Sequence, residues 1–385
     1  MNIIIVGAGA SGLLASILLA KKGYKITLLE KEKKLAKKLR ATGNGKCNIT
    51  NLDISIGYYH SNDKLENNFI LTYKEVKKVF LDLGIPFFEN LDGRVFPMSK
   101  EANSVADKLI YLAQNLGVEI INECEVIDIK KGFIVMTSKG EFKSTKLIIA
   151  TGSKAGRIGS DNLLEVLSNL GHTIYPLYPS LVQLITKEDF TKCSGVKVKA
   201  NLSLYSNKEF IKEVYGDLLF TNYGISGLSV LDISVDIAKR LKNYEYLEIK
   251  VDFFPDINIK NILNEINNNI HIGMILRGIL PAKLIPFVLK QANITSKQGL
   301  TKKEINKLSY VLKNYTIEII DTKDIKNAEV VSGGVSIKEI DFNTMQSKKV
   351  KNLYLLGEIL DIDGDRGGYN LHFAWSSAIK LANNM

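Results

Sequence analysis

The sequence predicts an α/β fold in which a mostly parallel sheet carries helices on its faces. Three stretches predict it: a strand, glycine turn, helix and second strand at residues 1–30, the apolar run KLIIATGS, and the strand Leu353–Leu356 with a glycine loop and a helix after it. Strands that alternate with helices are typical of βαβ units. Long β-rich and helical stretches between these parts make the chain α+β overall.

The first unit begins with Asn2–Val6, a run of mostly β-branched residues suited to a strand that is buried on both faces. The glycine-rich GAGASG follows it. A helical pattern then covers Leu13–Lys22, and Gly23 is expected to end that helix. Lys25–Leu29 is a second strand. The order predicts a βαβ unit, and its apolar start is interpreted as a buried strand rather than an exported segment.

The glycines of GAGASG have the spacing G-x-G-x-x-G between a strand and a helix. We expect Gly7 to make the tight turn, Gly9 to let the backbone approach a pyrophosphate and Gly12 to let the helix pack close to the strand. Glu30, at the end of the second strand, suits the ribose hydroxyls and argues against a 2′-phosphate. The motif predicts a Rossmann-type site for an ADP moiety and does not separate NAD from FAD.

The rest of the chain favours FAD. No second G-x-G-x-x-G follows a strand, whereas tandem modules for FAD and NAD would show two. The segments Val118–Ile129, Phe133–Thr137 and Glu141–Ser144 predict a small antiparallel meander over the sheet. The chain then returns through KLIIATGS, as in the FAD domain of two-dinucleotide-fold flavoproteins.

The C-terminal stretch LYLLGEILDIDGDRGGYNL predicts a second ligand-binding loop. Gly357 and Glu358 follow a buried strand at the edge where α/β sheets bind ligands. Gly367 and Gly368 then lead into a helix that starts at about Tyr369. The free N–H groups and positive dipole of a helix start suit the negative charge that reduced flavin carries near N1 and C2=O.

The loop RATGNGKCNITN, residues 40–51, is rich in small polar side chains and glycine. Its asparagines and threonines suit the donors and acceptors along an isoalloxazine edge. Gly43 and Gly45 allow close approach and a positive φ. Cys47 is expected to be a packing residue rather than a nucleophile, because neither a second cysteine nor a base is written nearby. We therefore interpret the loop as a flavin cradle.

Between these parts the sequence predicts a β-rich domain and a helical insertion. The predicted strands are Val182–Ile185, Lys197–Tyr205, Lys208–Tyr215, Tyr246–Phe253, Ile317–Ile320 and Glu329–Val331. The predicted helices are Ile257–Asn269, Ile272–Leu280, Ala282–Ala292 and Lys302–Asn314. The predicted boundaries are 1–180 with 332–385 for the FAD domain, 181–254 with 315–331 for the β-rich domain, and 255–314 for the helical insertion.

Composition excludes several classes of protein. The chain has 385 residues, 45% of them hydrophobic, and a net charge of +10. We interpret the scattered lysines as solvated surface, although a basic surface also suits nucleic acid. Three distant cysteines without C-x-x-C fit a reducing cytoplasm. No histidine has a helical metal-binding partner and no run spans a membrane, so neither a metal nor a membrane is expected.

Eight motifs together resemble one family, the BaiN/YhiN-type FAD proteins with aminoacetone oxidase-like members. The motifs are GAGASG, ATGNGKCNITN, GRVFP, IIATGS, YPSLVQL, LLFTNYGISG, VVSGGV and GEILDIDGDRGGYNL, in order along the whole chain. The resemblance implies a non-covalent FAD, an FAD domain split by a β-rich domain, and a small helical insertion. It implies an oxidoreductase that acts on a small organic molecule, either as an oxidase or with NAD(P)H as a transient electron donor.

The motifs and the resemblance together give one set of expected cofactor-binding residues. They are Gly7, Gly9, Ala10, Ser11, Gly12, Glu30, Lys31, Arg40, Thr42, Gly43, Gly45, Cys47, Asn48, Thr50, Asn51, Val126, Ala150, Thr151, Gly152, Gly357, Glu358, Asp361, Gly367, Gly368, Tyr369, Asn370 and Leu371.

His372 and Tyr369 are the candidate catalytic residues, because each follows the glycine loop that should face the flavin. The expected function is hydride transfer between FAD and a small-molecule substrate by a monomer or homodimer. We expect no stable nucleic-acid partner. The alternatives left open are a flavin-bound nucleic-acid-binding or tRNA-modifying protein, which the net charge suggests, and a non-catalytic flavin sensor.

Overall fold

The computed structural model describes residues 2–157, 162–266, 270–295 and 298–385. The chain divides into two compact units: unit 1 is Met1–Tyr178 with Val330–Met385, and unit 2 is Pro179–Glu329.

Within the described residues the helices, α1 to α12 in chain order, are Ala10–Lys21, Lys37–Ala41, Tyr73–Asp82, Ala102–Asn115, Asn162–Asn169, Leu228–Ser234, Ile237–Lys242, Ile259–Glu265, Ile272–Arg277, Ile285–Ala292, Lys302–Lys313 and Tyr369–Asn383. The strands, β1 to β23, are Asn2–Val6, Lys25–Leu29, Thr50–Asn51, Tyr59–His60, Phe87–Glu89, Arg94–Pro97, Glu119–Ile121, Val126–Lys130, Ile134–Thr137, Gly140–Lys143, Lys146–Ile149, Ile174–Ser180, Leu184–Thr186, Lys197–Ser206, Glu209–Thr221, Gly224–Ser226, Leu247–Asp252, Tyr315–Thr322, Val330–Val335, Ile340–Asp341, Gln346–Ser347, Leu353–Leu355 and Asp363–Gly364.

Unit 1 is built on a seven-stranded sheet in the order β20-β21-β22-β11-β1-β2-β7. The strands from β22 to β7 run parallel, with Ile5 of β1 opposite Ile148 of β11 and Leu28 of β2. The chain builds outward from β1 to β7 and then returns to β11, so the order reverses between β1 and β11. Ligands of open α/β sheets bind at such a switch point. The predicted α/β class with a Rossmann-type sheet is confirmed.

The first helix starts earlier than its periodicity predicted. Gly9 is the residue before the helix, and Ala10, Ser11 and Gly12 already form its first turn. The glycine turn is therefore short, and the N–H groups of the helix start lie directly after β1. At the other end, Gly23 has a φ of +86° just beyond the helix, as the sequence predicted.

The predicted meander is partly wrong. Its first segment, Glu119–Ile121, pairs parallel with β2 and closes one edge of the main sheet. The meander consists of β8, β9 and β10, which pair antiparallel in sequence order. A run of β-forming residues indicates a strand, but the partner of that strand depends on contacts distant in sequence.

Unit 2 contains a closed six-stranded barrel in the order β13-β16-β15-β14-β17-β18. Its core includes alternate residues of β14, such as Leu202 and Leu204, and of β17, such as Ile249. The predicted strand Lys208–Tyr215 runs on to Thr221 as β15. The predicted strand Glu329–Val331 instead begins β19, which pairs with β12.

The four predicted helices of the insertion correspond to α8–α11, which pack on one another and share the core of unit 2. The predicted end of the first of them, residues 267–269, lies outside the described residues. Treating these helices as a domain separate from the barrel stays a prediction. Among the described helices, none has both the length and the apolar character needed to cross a membrane.

Candidate cofactor site

The glycine turn after β1 packs against the end of β11. Gly7 has a φ of +103°, and a Cβ there would lie 2.5 Å from the Ala150 carbonyl oxygen. A Cβ on Gly12 would lie 1.9 Å from the Gly7 carbonyl oxygen, far closer than van der Waals contact allows. A Cβ on Gly9 would meet no heavy atom of the described residues within 4 Å. The turn therefore needs glycine at two positions for packing and leaves the third facing open space.

That open space is a cleft at the carboxyl ends of the central strands of unit 1, and it opens to solvent. The predicted cofactor-binding residues that line it are Gly7, Gly9, Glu30, Lys31, Val126, Ala150 and Thr151.

Glu30 bridges the first turn and the end of β2. Its Oε2 accepts the Ala8 N–H at 2.8 Å, and its Oε1 accepts the Glu32 N–H at 2.9 Å. These two bonds fix the carboxylate in the cleft wall. A carboxylate has about four acceptor positions, so ribose hydroxyls can still donate to it.

Two buried polar atoms in the predicted set have no hydrogen-bond partner among the described residues. They are Thr151 Oγ1, which follows β11 in the cleft, and Asn48 Oδ1, in the loop at residues 40–51. Leaving a buried polar group unpaired costs about 1–3 kcal/mol, so such groups usually face a ligand or water. Asn2 Oδ1 and Ser144 Oγ are also unpartnered, at the opposite end of the sheet. A dinucleotide carries many hydrogen-bond donors and acceptors, so it could supply the partners that Thr151 Oγ1 and Asn48 Oδ1 lack.

A group of lysines that the sequence analysis treated as solvated surface lines the same cleft. Lys34, Lys37 and Lys38 join Lys31 there. The sequence signal was the run KEKKLAKKLR directly after β2, which places several cations next to the predicted pyrophosphate site. Cations beside a helix N-terminus strengthen its attraction for phosphate. Lys34 and Lys37 are exposed, as expected for surface lysines, and a role of this group in binding phosphate stays a prediction.

Lys38 also connects the cleft to the C-terminal motif. Its Nζ lies 2.5 Å from Glu358 Oε2 and 3.3 Å from Ser153 Oγ. The other carboxylate oxygen of Glu358 accepts the Val331 N–H at 3.1 Å. Glu358 was expected to take hydroxyls of the cofactor, and in the structure it is first of all a paired carboxylate. The expected role stays a prediction.

The turn at Gly357 packs against the first helix. A Cβ on Gly357 would lie 3.1 Å from Ser11 Oγ, and its φ is +67°. Its N–H donates to Ser377 Oγ in α12 at 3.1 Å. Gly152 also faces this region, because a Cβ there would be 3.8 Å from Glu358 Oε2. The structure thus brings residues from both ends of the chain to the switch point.

The loop at residues 40–51 turns sharply at its centre. Gly43, Asn44 and Gly45 all have positive φ, at +58°, +52° and +80°. A Cβ on Gly43 would lie 2.8 Å from the Asn48 backbone nitrogen, whereas one on Gly45 would meet nothing of the described residues within 4 Å. Thr42 Oγ1 donates to the Leu39 carbonyl at 2.7 Å. The positive φ expected at both glycines is present.

The end of this loop docks on the start of α12. Asn51 Nδ2 donates to the Gly367 carbonyl at 3.0 Å, and a Cβ on Gly368 would lie 2.5 Å from the Thr50 carbonyl oxygen. Further along the helix, Trp375 Nε1 donates to the Ile49 carbonyl at 3.1 Å. The two loops that the sequence placed at opposite ends of the chain are therefore in direct contact.

Asn370 and Leu371 lie in the first turn of α12. Asn370 closes the glycine loop, because its Oδ1 accepts the Gly364 N–H at 2.8 Å and its Nδ2 donates to the Gly364 carbonyl at 2.7 Å. Leu371 is half-buried against the core of unit 1. Asn370 thus fixes the shape of the loop, and its expected contact with the cofactor stays a prediction.

Both ring nitrogens of His372 form hydrogen bonds within the protein. Nδ1 lies 2.6 Å from Thr50 Oγ1, and Nε2 lies 2.8 Å from the Leu71 carbonyl oxygen. The carbonyl can only accept, so Nε2 carries the proton and Nδ1 accepts from the hydroxyl. Burial lowers the pKa of His372 to about 4. These contacts describe a neutral ring that joins loop and helix, and they weigh against proton transfer to a substrate.

Tyr369 lies buried at the first position of α12. Its ring stacks on Tyr58 with centroids 4.4 Å apart and planes 17° apart. The Tyr58 hydroxyl donates to Asp53 Oδ2 at 2.8 Å. Burial raises the pKa of Tyr369, so the phenol stays protonated at neutral pH.

Three predicted residues are engaged elsewhere in unit 1. Arg40 donates to Asn103 at 3.1 Å and Asp107 at 2.6 Å, both in α4. Cys47 is buried, and burial raises the pKa of its thiol to about 12, which agrees with the packing role expected from sequence. Asp361 is buried and accepts from Ser61, the Asn62 N–H and the Asn62 amide.

A parallel sheet with a tight glycine turn, a carboxylate at the end of β2 and an open cleft at the switch point defines a Rossmann-type dinucleotide-binding protein. The chain belongs to the HI0933-like family, because the model described as "HI0933-like protein Rossmann domain" matches residues 1–384. The family predicted from the sequence motifs is confirmed, and with it the class of FAD-binding oxidoreductases.

Three curated relatives match nearly the whole chain. The 3-dehydro-bile acid delta(4,6)-reductase of Clostridium scindens is 33% identical and covers 97% of this chain and 96% of its own. The ribosomal RNA dihydrouridine synthases of Haemophilus influenzae and Escherichia coli are each 29% identical; the first covers 98% of this chain and the second 99%, and each match spans 97% of the relative.

Proposed function

We propose that this protein is a flavin-dependent reductase that saturates a ring carbon–carbon double bond conjugated with a carbonyl group. The bile-acid reductase and the dihydrouridine synthases are named for very different substrates. Yet a delta(4,6)-unsaturated 3-oxo steroid and a uracil ring both present a double bond in conjugation with a carbonyl. Adding a hydride and a proton across that bond is the chemistry the two names share.

The residues of the cleft support a non-covalent FAD at the switch point. The first turn of α1 and the open position at Gly9 suit the pyrophosphate, and Glu30 suits the adenosine ribose. Thr151 and Asn48 offer unpartnered buried polar atoms. Bound FAD supplies the hydride carrier that the reaction requires. The open position at Gly9 beside the first turn of α1, with Glu30 in the same cleft wall, is the observation that carries the cofactor assignment.

The start of α12 supports the second half of the proposal. Among the described residues, no side chain caps the start of that helix at Gly368, and its dipole favours negative charge nearby. The Tyr369 and Tyr58 hydroxyls are hydrogen-bonded to each other and Tyr58 donates to Asp53, which connects the buried Tyr369 phenol to an exposed carboxylate. We propose that these three side chains deliver the proton that accompanies the hydride. An external NAD(P)H is the proposed source of electrons.

The cofactor assignment is tested with Thr151→Val. The substitution keeps the shape of the side chain and removes the hydroxyl, so flavin affinity is expected to fall by about one to two orders of magnitude. Thr145→Val is the matched control, because Thr145 precedes the same strand at its other end, where its hydroxyl donates to the Asn2 carbonyl at 2.9 Å. Equal flavin retention by both variants, measured by absorbance after gel filtration, would refute the assignment.

The reaction is tested by anaerobic single turnover. Photoreduced protein is mixed with a 3-oxo-4,6-diene steroid acid and, separately, with oxygen, and flavin reoxidation is followed. We expect fast reoxidation by the dienone and slow reoxidation by oxygen. Fast reaction with oxygen alone would identify an oxidase and refute the reductase proposal.

Proton delivery through Tyr369, Tyr58 and Asp53 is tested with Tyr58→Phe. Loss of the Tyr58 hydroxyl cuts the connection between Tyr369 and Asp53 while leaving the aromatic stack. We expect slower substrate reduction and an unchanged rate of flavin reduction by NAD(P)H. The reason is that only substrate reduction needs a proton delivered to carbon. Equal slowing of both half-reactions would point to a structural role.

Uridine in ribosomal RNA is the second candidate substrate. Two relatives at 29% identity carry that name, and the chain has a net charge of +10. The same reduced protein is mixed with a ribosomal RNA transcript, and dihydrouridine is measured after nuclease digestion. Reoxidation by the transcript with formation of dihydrouridine would favour this candidate over the steroid.

A further inference from the structure

We propose that helices α9, α10 and α11 of unit 2 form a basic surface that binds the phosphate backbone of RNA. The proposal deepens the second candidate of the proposed function by naming where such a substrate is bound. Residues 270–314 contain eight lysine and arginine residues and a single acidic residue, Glu304. This short stretch therefore accounts for most of the chain's net charge of +10.

Most cations of this surface are exposed and unpaired, whereas Lys313, at the end of α11, is half-buried and lies 2.7 Å from Asp252. Within the described part of the chain, none of the following makes an ion pair with a carboxylate: Arg277, Lys283, Lys290, Lys302, Lys303 and Lys307. The acid in the segment is occupied, because Glu304 Oε2 accepts from the Thr301 N–H and hydroxyl at the start of α11. The positive charge is therefore not neutralised locally.

In the barrel of the same unit, by contrast, some exposed lysines are paired with carboxylates. Lys187 lies 2.8 Å from Glu318, and Lys197 lies 2.7 Å from Asp217. Pairing of this kind reduces the field that a surface presents to a distant polyanion. Within unit 2, these two paired lysines therefore attract a polyanion less than the unpaired cations of the helices do.

Helix α11 shows how the surface is organised. Lys303, Lys307 and Tyr310 follow one another at i, i+4 and i+7 and so lie on one face. The Tyr310 side chain on that face is 64% exposed, so its ring is accessible to a base. Phosphate-binding lysines beside an exposed aromatic ring are the combination that single-stranded nucleic acid needs, because bases stack on the ring.

The opposite face of α11 argues against a membrane as the partner. Ile305, Leu308 and Leu312 are buried in the core of unit 2. An interfacial helix must keep such an apolar face free to enter the lipid. Here the apolar face is already used for packing, and the exposed face is cationic. RNA therefore fits this surface better than an anionic bilayer does.

The test is the salt dependence of RNA binding by the flavin-loaded protein. A fluorescent ribosomal RNA fragment with uridine-containing loops is titrated by anisotropy at several salt concentrations. The triple variant Lys290→Gln/Lys303→Gln/Lys307→Gln is expected to bind about ten- to a hundredfold more weakly at low salt. The slope of log K against log salt should fall by about 2–3, since each phosphate contact contributes about 0.7–0.9.

The matched control is Lys74→Gln/Lys78→Gln/Lys108→Gln, which removes the same charge from exposed positions in α3 and α4 of unit 1. It should leave the slope nearly unchanged. Equal loss in both triple variants would overturn the proposal, because binding would then follow net charge alone.

Two parallel measurements separate this proposal from the reaction. Single turnover with the steroid dienone reports on the flavin site and should be unchanged in the Lys290, Lys303 and Lys307 variant. Phosphatidylserine vesicles are offered to the same proteins. Binding of vesicles without binding of RNA would overturn the assignment of the partner, whatever the substrate proves to be.

Discussion

Substituting alanine at two glycines of the first turn separates packing from cofactor binding. In Gly12→Ala the new methyl group would lie 1.9 Å from the Gly7 carbonyl oxygen, a backbone atom that cannot rotate away. In Gly9→Ala the methyl group meets no described atom within 4 Å and enters the open cleft. The first change should therefore damage the protein without its cofactor, and the second should damage only cofactor binding.

The magnitudes follow from the two environments. Alanine in a helix is favoured over glycine by about 1 kcal/mol, but forcing a methyl group into a packed contact costs about 1–3 kcal/mol or more. Because the clash is with a backbone atom, we take the upper end of that cost and expect a net loss of roughly 2 kcal/mol, which lowers Tm by about 4–8 °C for a unit of this size. Gly9 has a φ of −82°, which alanine adopts freely, so its stability should change by less than about 1 kcal/mol.

Thermal unfolding of flavin-free protein and flavin affinity together provide the assay. Gly9→Ala should keep the Tm of the flavin-free form and lose most of the affinity, because its methyl group occupies the approach of a pyrophosphate. Gly12→Ala should lower that Tm. An unchanged Tm for Gly12→Ala, or flavin affinity of Gly9→Ala equal to that of the natural protein, would refute the reasoning.

Two further predictions concern the loop and helix that meet beside the cleft. In the folded protein the pKa of His372 is lowered from 6.5 to about 4, so the unfolded chain binds a proton at a higher pH than the folded protein does. The free energy of unfolding, measured with urea, should therefore fall by about 2 kcal/mol between pH 7 and pH 5. His372→Gln should lose most of that pH dependence. Cys47→Ala should keep the flavin spectrum, whereas Asn48→Ala should weaken flavin binding, and the opposite ranking would restore a thiol mechanism.

Local patterns were enough to predict the elements of the Rossmann unit. The β-branched run at Asn2–Val6, the glycine spacing and the charged end at Glu30 each depend on neighbours in sequence, and the structure has the strand, the turn and the carboxylate there. The positive φ at Gly43 and Gly45 is predictable for the same reason, since a tight turn is a property of a few neighbouring residues.

Partners far apart in sequence were not predictable. Nothing local places Lys38 next to Glu358, or sends Glu119–Ile121 to the edge of the main sheet instead of the meander. The same holds for His372, whose two ring nitrogens are taken by Thr50 and Leu71. A side chain's chemistry depends on what burial and hydrogen bonding do to its pKa, and these are decided only when the chain has packed.

The sequence by itself determined the fold class, the family and the positions of the glycine-rich loops, because these follow from hydrophobic periodicity and from short motifs with fixed spacing. The tertiary structure decided which polar side chains of those loops find a hydrogen-bond partner within the protein and which do not. Thr151 and Asn48 remain unpartnered and His372 does not. The physical reason is that hydrogen-bond satisfaction of a buried group is a property of the packed environment, not of the residue type.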